Sequence, residues 1–312
     1  MELVRLGKTD LRVSELGVGA WAWGDKRFWG YGKGYNENDV QDAFTTTVQA
    51  GVNFLDTAEV YGFGMSERLV SQNLDGNRPA MILASKCSPF PWRISASALQ
   101  GALRASLKRL GIAQLDLYQM HWAIPPVSIE AWMDAMAKAV QAGLIRAVGV
   151  SNYDAAQTRR AHAALAKHGI PLASNQLPYS LLNRRIESGG TMQACQELGV
   201  TVIAYSPIEK GMLTGKYTPD NLPPGLRRRT YNVDYARRVQ PLIGLMREIG
   251  QVHGGKTPAQ VALNWTMCKG TVPIPGAKNA RQAQENVGAA GWRLTGDEVT
   301  VLERMSEQVR KR

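Results

Sequence analysis

From residue 16 to residue 274, short apolar runs alternate with longer stretches whose apolar residues recur at helical spacing. The runs fall near 16–21, 53–56, 81–86, 115–121, 145–151, 172–177, 201–206 and 271–274. Helical stretches fall near 38–50, 65–74, 95–110, 128–142, 154–168, 190–198, 235–253 and 258–269, with two more at 279–290 and 295–309. Short, nearly continuous apolar runs are what strands look like when helices cover both faces of a parallel sheet. Eight such strands with outer helices close most naturally into a (β/α)8 TIM barrel, an α/β fold. An open doubly wound sheet is the alternative, and it often carries a glycine fingerprint. Residues 3–15 read as two short strands around Gly7-Lys8-Thr9-Asp10, an N-terminal β-hairpin. A barrel uses a chain of 312 residues as one unit, so residues 1–312 are read as a single domain with extra C-terminal helices.

Three of the runs stop on a titratable residue. Asn53-Phe54-Leu55-Asp56 ends on an acid, Met81-Ile82-Leu83-Ala84-Ser85-Lys86 on an amine, and the run from Leu115 ends at His121. Tyr61 follows Asp56 by five residues, just before Gly62. In a barrel the C-terminal ends of strands converge on one pocket, so Asp56, Tyr61, Lys86 and His121 should meet there. A phenol with a pKa near ~10 is a poor acid at neutral pH. An ammonium beside it lowers that value, and Asp56 would hold Lys86 charged and in place. The product is a general acid able to protonate a carbonyl oxygen as a hydride arrives at carbon, with His121 orienting the carbonyl. The same positions leave a second chemistry open, a Schiff-base lyase acting through Lys86.

Other features narrow the class. The net charge is +11, but its densest cluster, Arg227-Arg228-Arg229, lies in a Pro/Gly-rich stretch read as a loop. Dispersed basic residues suit attraction of anionic small molecules rather than nucleic acid. Cys87, Cys195 and Cys268 are far apart, which argues against a disulfide framework or a metal site. Met1-Glu2-Leu3-Val4-Arg5 has no apolar leader and no run approaches a membrane span, so a cytoplasmic, soluble protein is expected. Gly17-Val18-Gly19-Ala20-Trp21-Ala22 fits a loose dinucleotide fingerprint, yet no helix opens there. The stretch from Gly250 to Thr257 fits a phosphate-loop string, but helical periodicity precedes it where a strand is required. It reads better as a helix end at Gly254-Gly255, then Thr257 capping a helix that starts at Pro258. Asn264-Trp265-Thr266 matches a glycosylation sequon but lies mid-helix.

Taken together, the segments Asn53 to Gly62, Ala84-Ser85-Lys86, Leu115 to Trp122, Val148 to Tyr153, Asn175-Gln176 and Ala204-Tyr205-Ser206-Pro207 resemble the signature segments of the aldo-keto reductases. The similarity runs from the hairpin to the final helices. It implies a barrel that binds NADPH or NADP+ without a Rossmann fold, and it implies that Asp56, Tyr61, Lys86 and His121 form a tetrad with Tyr61 as proton donor. By the same resemblance Ser151, Asn152 and Gln176 hold the nicotinamide carboxamide and Tyr205 stacks on the ring, with Gly19, Ala20, Trp21 and Asp56 nearby. Ser206, Pro207, Gly211, Leu213 and Lys216 match the segment that covers the pyrophosphate in long-loop members. Gly276, Lys278, Gln282, Glu285 and Asn286 match the adenosine-phosphate segment. Gln282 stands where many members carry arginine; Lys278 or Arg281 can replace that charge, so NADPH is expected over a weaker NADH.

The loops after the strands are rich in aromatic residues. Trp21, Trp29, Trp92 and Trp122, four of the chain's 8 Trp, are expected to line a substrate pocket, with Arg93 an anchor for an anionic substituent. Ala20 to Gly24, Pro91-Trp92-Arg93 and Thr271 to Gly276 resemble a bacterial and plastid branch that includes pyridoxal reductases; potassium-channel β subunits are more distant. The resemblance thus implies NADPH-dependent reduction of an aldehyde or ketone, with a nicotinamide-binding regulatory or channel-associated subunit as the alternative. The expected partner is a small carbonyl compound, with no nucleic acid, membrane or metal.

Overall fold

The chain enters through a hairpin of β1 (Leu3–Arg5) and β2 (Arg12–Ser14), antiparallel with Leu3 opposite Ser14. The structure, a computed structural model, describes residues 1–74, 76–225 and 227–311. Among these residues the main sheet has eight parallel strands. They are β3 (Val18–Gly19), β4 (Phe54–Asp56), β5 (Ile82–Cys87), β6 (Leu115–Met120), β7 (Ile145–Ser151), β8 (Leu172–Pro178), β9 (Thr201–Tyr205) and β10 (Val272–Ile274). Each pairs with the next in sequence. The first and last strands are joined by backbone bonds from Gly17 N–H to Pro273 O (2.9 Å) and Gly19 N–H to Pro275 O (3.1 Å). The sheet is therefore a barrel, and the Gly17–Gly19 segment serves its seam rather than a dinucleotide loop.

The helices are α1 (Glu37–Gln49), α2 (Met65–Asn73), α3 (Ala98–Leu110), α4 (Ile129–Gln141), α5 (Ala155–Ala166), α6 (Arg185–Ser188), α7 (Thr191–Leu198), α8 (Arg227–Thr230), α9 (Val233–Val252), α10 (Pro258–Cys268), α11 (Ala280–Val287) and α12 (Gly296–Lys311). Their starts are chemically marked. Asn36, Asp154 and Thr257 each close a capping box, satisfying backbone donors that a helix start leaves free. Thr257 with Pro258 behind it thus opens α10, as the sequence indicates, and Asn264 is buried inside that helix. Two local expectations fail. The run at 16–21 is a strand only over Val18–Gly19, because a 3-10 turn at Ala20–Ala22 lifts the chain off the sheet. The arginine cluster is the short helix α8 rather than a loop.

The barrel's interior explains where the polar residues end up. Side chains along a strand alternate between faces, so residues two apart share the inside. Phe54, Ala84, Leu117, Ala147, Ile203 and Val272 form one buried layer, closed from below by Leu6, Leu11 and Val13 around the hairpin. Two residues further along the strands come Asp56, Lys86, Gln119, Gly149 and Tyr205, and Gln176 joins them from β8. An apolar layer therefore carries a polar layer at the C-terminal mouth.

Candidate active site

Lys86 lies at the centre of that polar layer with no exposed surface. Its Nζ is ion-paired with Asp56 Oδ1, donates to Thr57 O at 2.9 Å and lies 3.3 Å from the Tyr61 hydroxyl. The second Asp56 oxygen accepts from Gln119 Nε2 (3.0 Å) and Gln176 Nε2 (2.8 Å). A buried carboxylate is costly unless paired and hydrogen-bonded, and here both oxygens are satisfied. The His121 ring meets the Tyr61 ring edge-on at 5.9 Å and stacks on Trp122 at 3.6 Å. Its Nδ1 lies 3.3 Å from Ser88 Oγ. The three strand-end residues and Tyr61 are thus brought together, and Gln119 and Ser88 join them.

Protonation follows from burial. The imidazole of His121 is pushed down to about 2 by burial and then by the Lys86 charge, so it is neutral. Burial also pulls Lys86 down while Asp56 and then Glu67 pull it back up. Tyr61 keeps a face toward the open cavity but is otherwise ringed by protein. Burial, with the Asp56 carboxylate adding to it, raises its phenol well above the ordinary value. This corrects the expectation that Lys86 makes the resting phenol more acidic. The lysine's charge is matched by Asp56 at the same nitrogen, so desolvation prevails and Tyr61 holds its proton.

Above these residues opens a cavity of about 740 Å³. Its wall includes Gly19, Trp21, Asp56, Tyr61, His121, Ser151, Asn152, Gln176, Tyr205, Ser206, Pro207, Gly211, Lys216, Gly276, Lys278, Gln282, Glu285 and Asn286, together with Trp29 and Trp122. Ala20 and Leu213 are buried behind the wall. Trp92 departs from expectation: it is 70% exposed and stacks on Phe90, outside the cavity. Arg93 is not a free anchor either, because Glu59 takes its guanidinium, with Nη2 to Oε2 at 2.8 Å.

Polar groups are linked across four consecutive strand ends, β6 to β9. Ser151 Oγ donates to Gln176 O (2.9 Å), Asn152 Nδ2 to His121 O (3.1 Å), and Tyr205 Oη to Asn152 Oδ1 (3.0 Å). Asn152 and Ser206 both have left-handed backbone, φ 60° and 51°, a strain that clusters at functional sites. The far wall is basic, with Lys210, Lys216, Arg227, Lys278 and Arg281. Arg227 lies over the Trp29 ring at 5.2 Å, and its buried Nε has no partner among the described residues. Lys278 donates to Trp29 O at 2.8 Å; burial, Arg227 and Lys216 lower it to about 8. Such a wall fits a phosphorylated, anionic cofactor, with flat groups received between Tyr205 and Trp21. Among the described residues no cluster of His, Cys, Asp and Glu could hold a metal.

Known proteins are similar to this chain over most of its length. Pyridoxal reductase (chloroplastic) of Arabidopsis thaliana is 41% identical over 307 residues, covering 94% of this chain and 83% of its own. An uncharacterised oxidoreductase of Mycobacterium tuberculosis is 38% identical over 290 residues, covering 91% and 86%. Among solved structures, the glycerol dehydrogenase of Gluconobacter oxydans superposes with a TM-score of 0.85 at 25% identity, covering 99% of this chain and 96% of the other. The sequence pattern of the Aldo/keto reductase family matches residues 15–307. With that match spanning nearly the whole barrel, and relatives this similar over their own lengths, the chain belongs to the aldo/keto reductase family of oxidoreductases.

Proposed function

We propose that this oxidoreductase reduces an aldehyde or ketone to the alcohol with NADPH. The observation that carries the reading is the line of groups at the cavity floor. A protonated Tyr61 hydroxyl sits 3.3 Å from Lys86 Nζ, which is itself ion-paired with Asp56. A bound nicotinamide cofactor would supply the hydride that adds to the carbonyl carbon. Tyr61 gives its proton to the carbonyl oxygen, and the phenolate left behind is stabilised by the ammonium of Lys86. Asp56 keeps that ammonium charged and aimed. The raised resting value of the phenol is no obstacle, because the developing alkoxide is the stronger base. In the tautomer with Nδ1 accepting from Ser88 Oγ, neutral His121 keeps its proton on Nε2 and uses that N–H to hydrogen-bond the carbonyl oxygen.

Ser151, Asn152, Gln176 and Tyr205 are placed to hold the carboxamide and ring of the cofactor, and Gly276, Glu285 and Asn286 its adenosine end. Lys216, Arg227, Lys278 and Arg281 supply cations for its phosphates, which favours NADPH over NADH despite the glutamine at 282. The lyase reading is disfavoured because Lys86 Nζ has three partners and no exposed surface. Pyridoxal is a candidate substrate by likeness to the plant enzyme, and the aromatic wall of Trp21, Trp29 and Trp122 suits a flat aldehyde. Because Glu59 neutralises Arg93, the free aldehyde is favoured over its phosphate ester. This reading keeps the protein in the cytoplasm, with a small carbonyl compound as its partner rather than nucleic acid or a membrane. Among the described residues no helix is long and apolar enough to cross one. The test is NADPH oxidation across a panel of aldehydes that includes pyridoxal and pyridoxal phosphate. Turnover with flat, uncharged aldehydes is expected. Borohydride trapping of substrate on Lys86, with no oxidation of NADPH, would replace the reading with the lyase.

A further inference from the structure

Two carboxylates withdrawn from solvent bracket Tyr61, and neither is among the groups that meet at the cavity floor. Glu59 precedes it by two residues, with a side chain 7% exposed; Glu67 follows by six, fully buried in α2. Glu67 reaches β5 beside Lys86, and Glu59 reaches the residue just past the end of that strand. Glu67 Oε1 accepts the Ser85 hydroxyl at 2.6 Å, and Glu59 Oε1 accepts the Ser88 backbone N–H at 2.7 Å. An arginine from the segment after β5 closes each one. Arg109 of α3 pairs with Glu67, and Arg93 with Glu59.

The chain between the two acids needs holding. Gly62, Phe63 and Gly64 are consecutive left-handed residues, with φ 54°, 53° and 83°. Backbone of this kind persists only where the surroundings over-determine it. Phe63 is 82% exposed, so its own ring does not anchor the turn. Arg109 does pack against it: a Cβ on Gly64 would lie 2.6 Å from Arg109 Cδ. On the other side Ser88 passes the constraint onward, since its Oγ faces His121 Nδ1. Buried ion pairs add little net stability compared with apolar replacements, so stability alone does not account for two of them here.

We propose that Glu59 and Glu67 are paired positioning residues that clamp the turn carrying Tyr61 to the strand carrying Lys86, one on each side, and so set the phenol against Lys86 and His121. This rests on Tyr61 being the proton donor. The clamp acts on geometry, and Glu67 also acts on charge. Asp56 of β4 and Tyr61 of the turn touch Lys86 Nζ, His121, just past β6, meets the Tyr61 ring, and Glu67 of α2 holds the neighbouring Ser85. Of these, Asp56 and Glu67 favour its charged form.

The experiment measures single-turnover rates, NADPH Kd and pH profiles for Glu59→Gln, Glu67→Gln and Ser85→Ala, with Tyr61→Phe in the same series. The two Glu variants should lose about tenfold or more in rate, with Kd and KM within about twofold. In Glu67→Gln the high-pH limb of the rate should move to lower pH, because Lys86 gives up its proton sooner. In Glu59→Gln it should stay in place. Should Glu67→Gln fail to fold, Ser85→Ala carries the test; it cuts the link to β5 without changing charge, and its rate should fall with the pH limb unmoved. Rates within about twofold of wild type in the folded variants, or losses confined to Tm and Kd, would overturn the clamp. If Tyr61→Phe itself keeps its rate, the parent reading fails instead.

Discussion

Burial fixes the protonation state of each titratable group that borders the reacting carbonyl, and the consequences are measurable. With His121 near 2, no imidazole step should enter the rate between about pH 5 and pH 8. Lys278 behaves differently, since it loses its proton in the free protein at about 8. NADPH affinity should therefore fall as pH rises above that value, by up to about tenfold per unit, while NADH affinity barely changes. Titrating both cofactors by fluorescence checks this; parallel pH dependence would mean that Lys278 does not read the 2′-phosphate. Lys86→Met would leave Asp56 with two amide donors and no cation, a loss of about 3–5 kcal/mol in unfolding free energy. Adding Asp56→Asn should restore part of that stability and none of the turnover. Asp56, Lys86 and His121 were legible because a titratable residue closing an apolar run has few uses, and Tyr61 because it follows Asp56 closely, just before a glycine. Gln119, Ser88, Glu59 and Glu67 were not singled out, because neutral amides, hydroxyls and acids in loops or helices are ordinarily solvent-facing. Trp92 misled for a related reason: composition places a ring near the mouth but does not give its direction.

At the scale of elements, the period of two inside the barrel makes Gly149 a point of control. A Cβ there would lie 2.5 Å from Ser174 Oγ and 2.9 Å from Gln119 Cγ. Gly149→Ala should therefore displace Gln119 from Asp56, cost about 1–3 kcal/mol in denaturant unfolding and lower turnover. A variant of unchanged stability and rate would show that Gln119 is not held by this contact. The alternation of runs and helices was readable in the sequence because buried parallel strands and amphipathic helices have different periods. Its exceptions came where loop chemistry decides. The 3-10 turn at Ala20–Ala22 continues a run that looks like strand, and α8 opens on Arg227, whose ring partners, Trp29 and Tyr217, lie elsewhere in the chain.

For the whole molecule, the polar layer at the mouth is supported by the apolar layer and the hairpin beneath it, and stability should respond to acid accordingly. His121 has a folded-state pKa far below its unfolded value, so its contribution is complete above about pH 6.5 and is lost as pH falls toward about 2. Stability should decline below about pH 6.5 by up to ~1.4 kcal/mol per unit from this group, and His121→Gln should remove that component of the slope. Carbonyl reduction in this barrel depends on the proton donor. Tyr61→Phe removes one hydroxyl while the ring still packs between Trp21 and His121. The decisive measurement is the single-turnover rate of this variant with saturating NADPH and an aldehyde, alongside NADPH binding by fluorescence. Binding should be unchanged while the rate falls by at least about 10²–10⁴-fold. A single-turnover rate close to that of the wild type would contradict the account and pass the role of acid to His121.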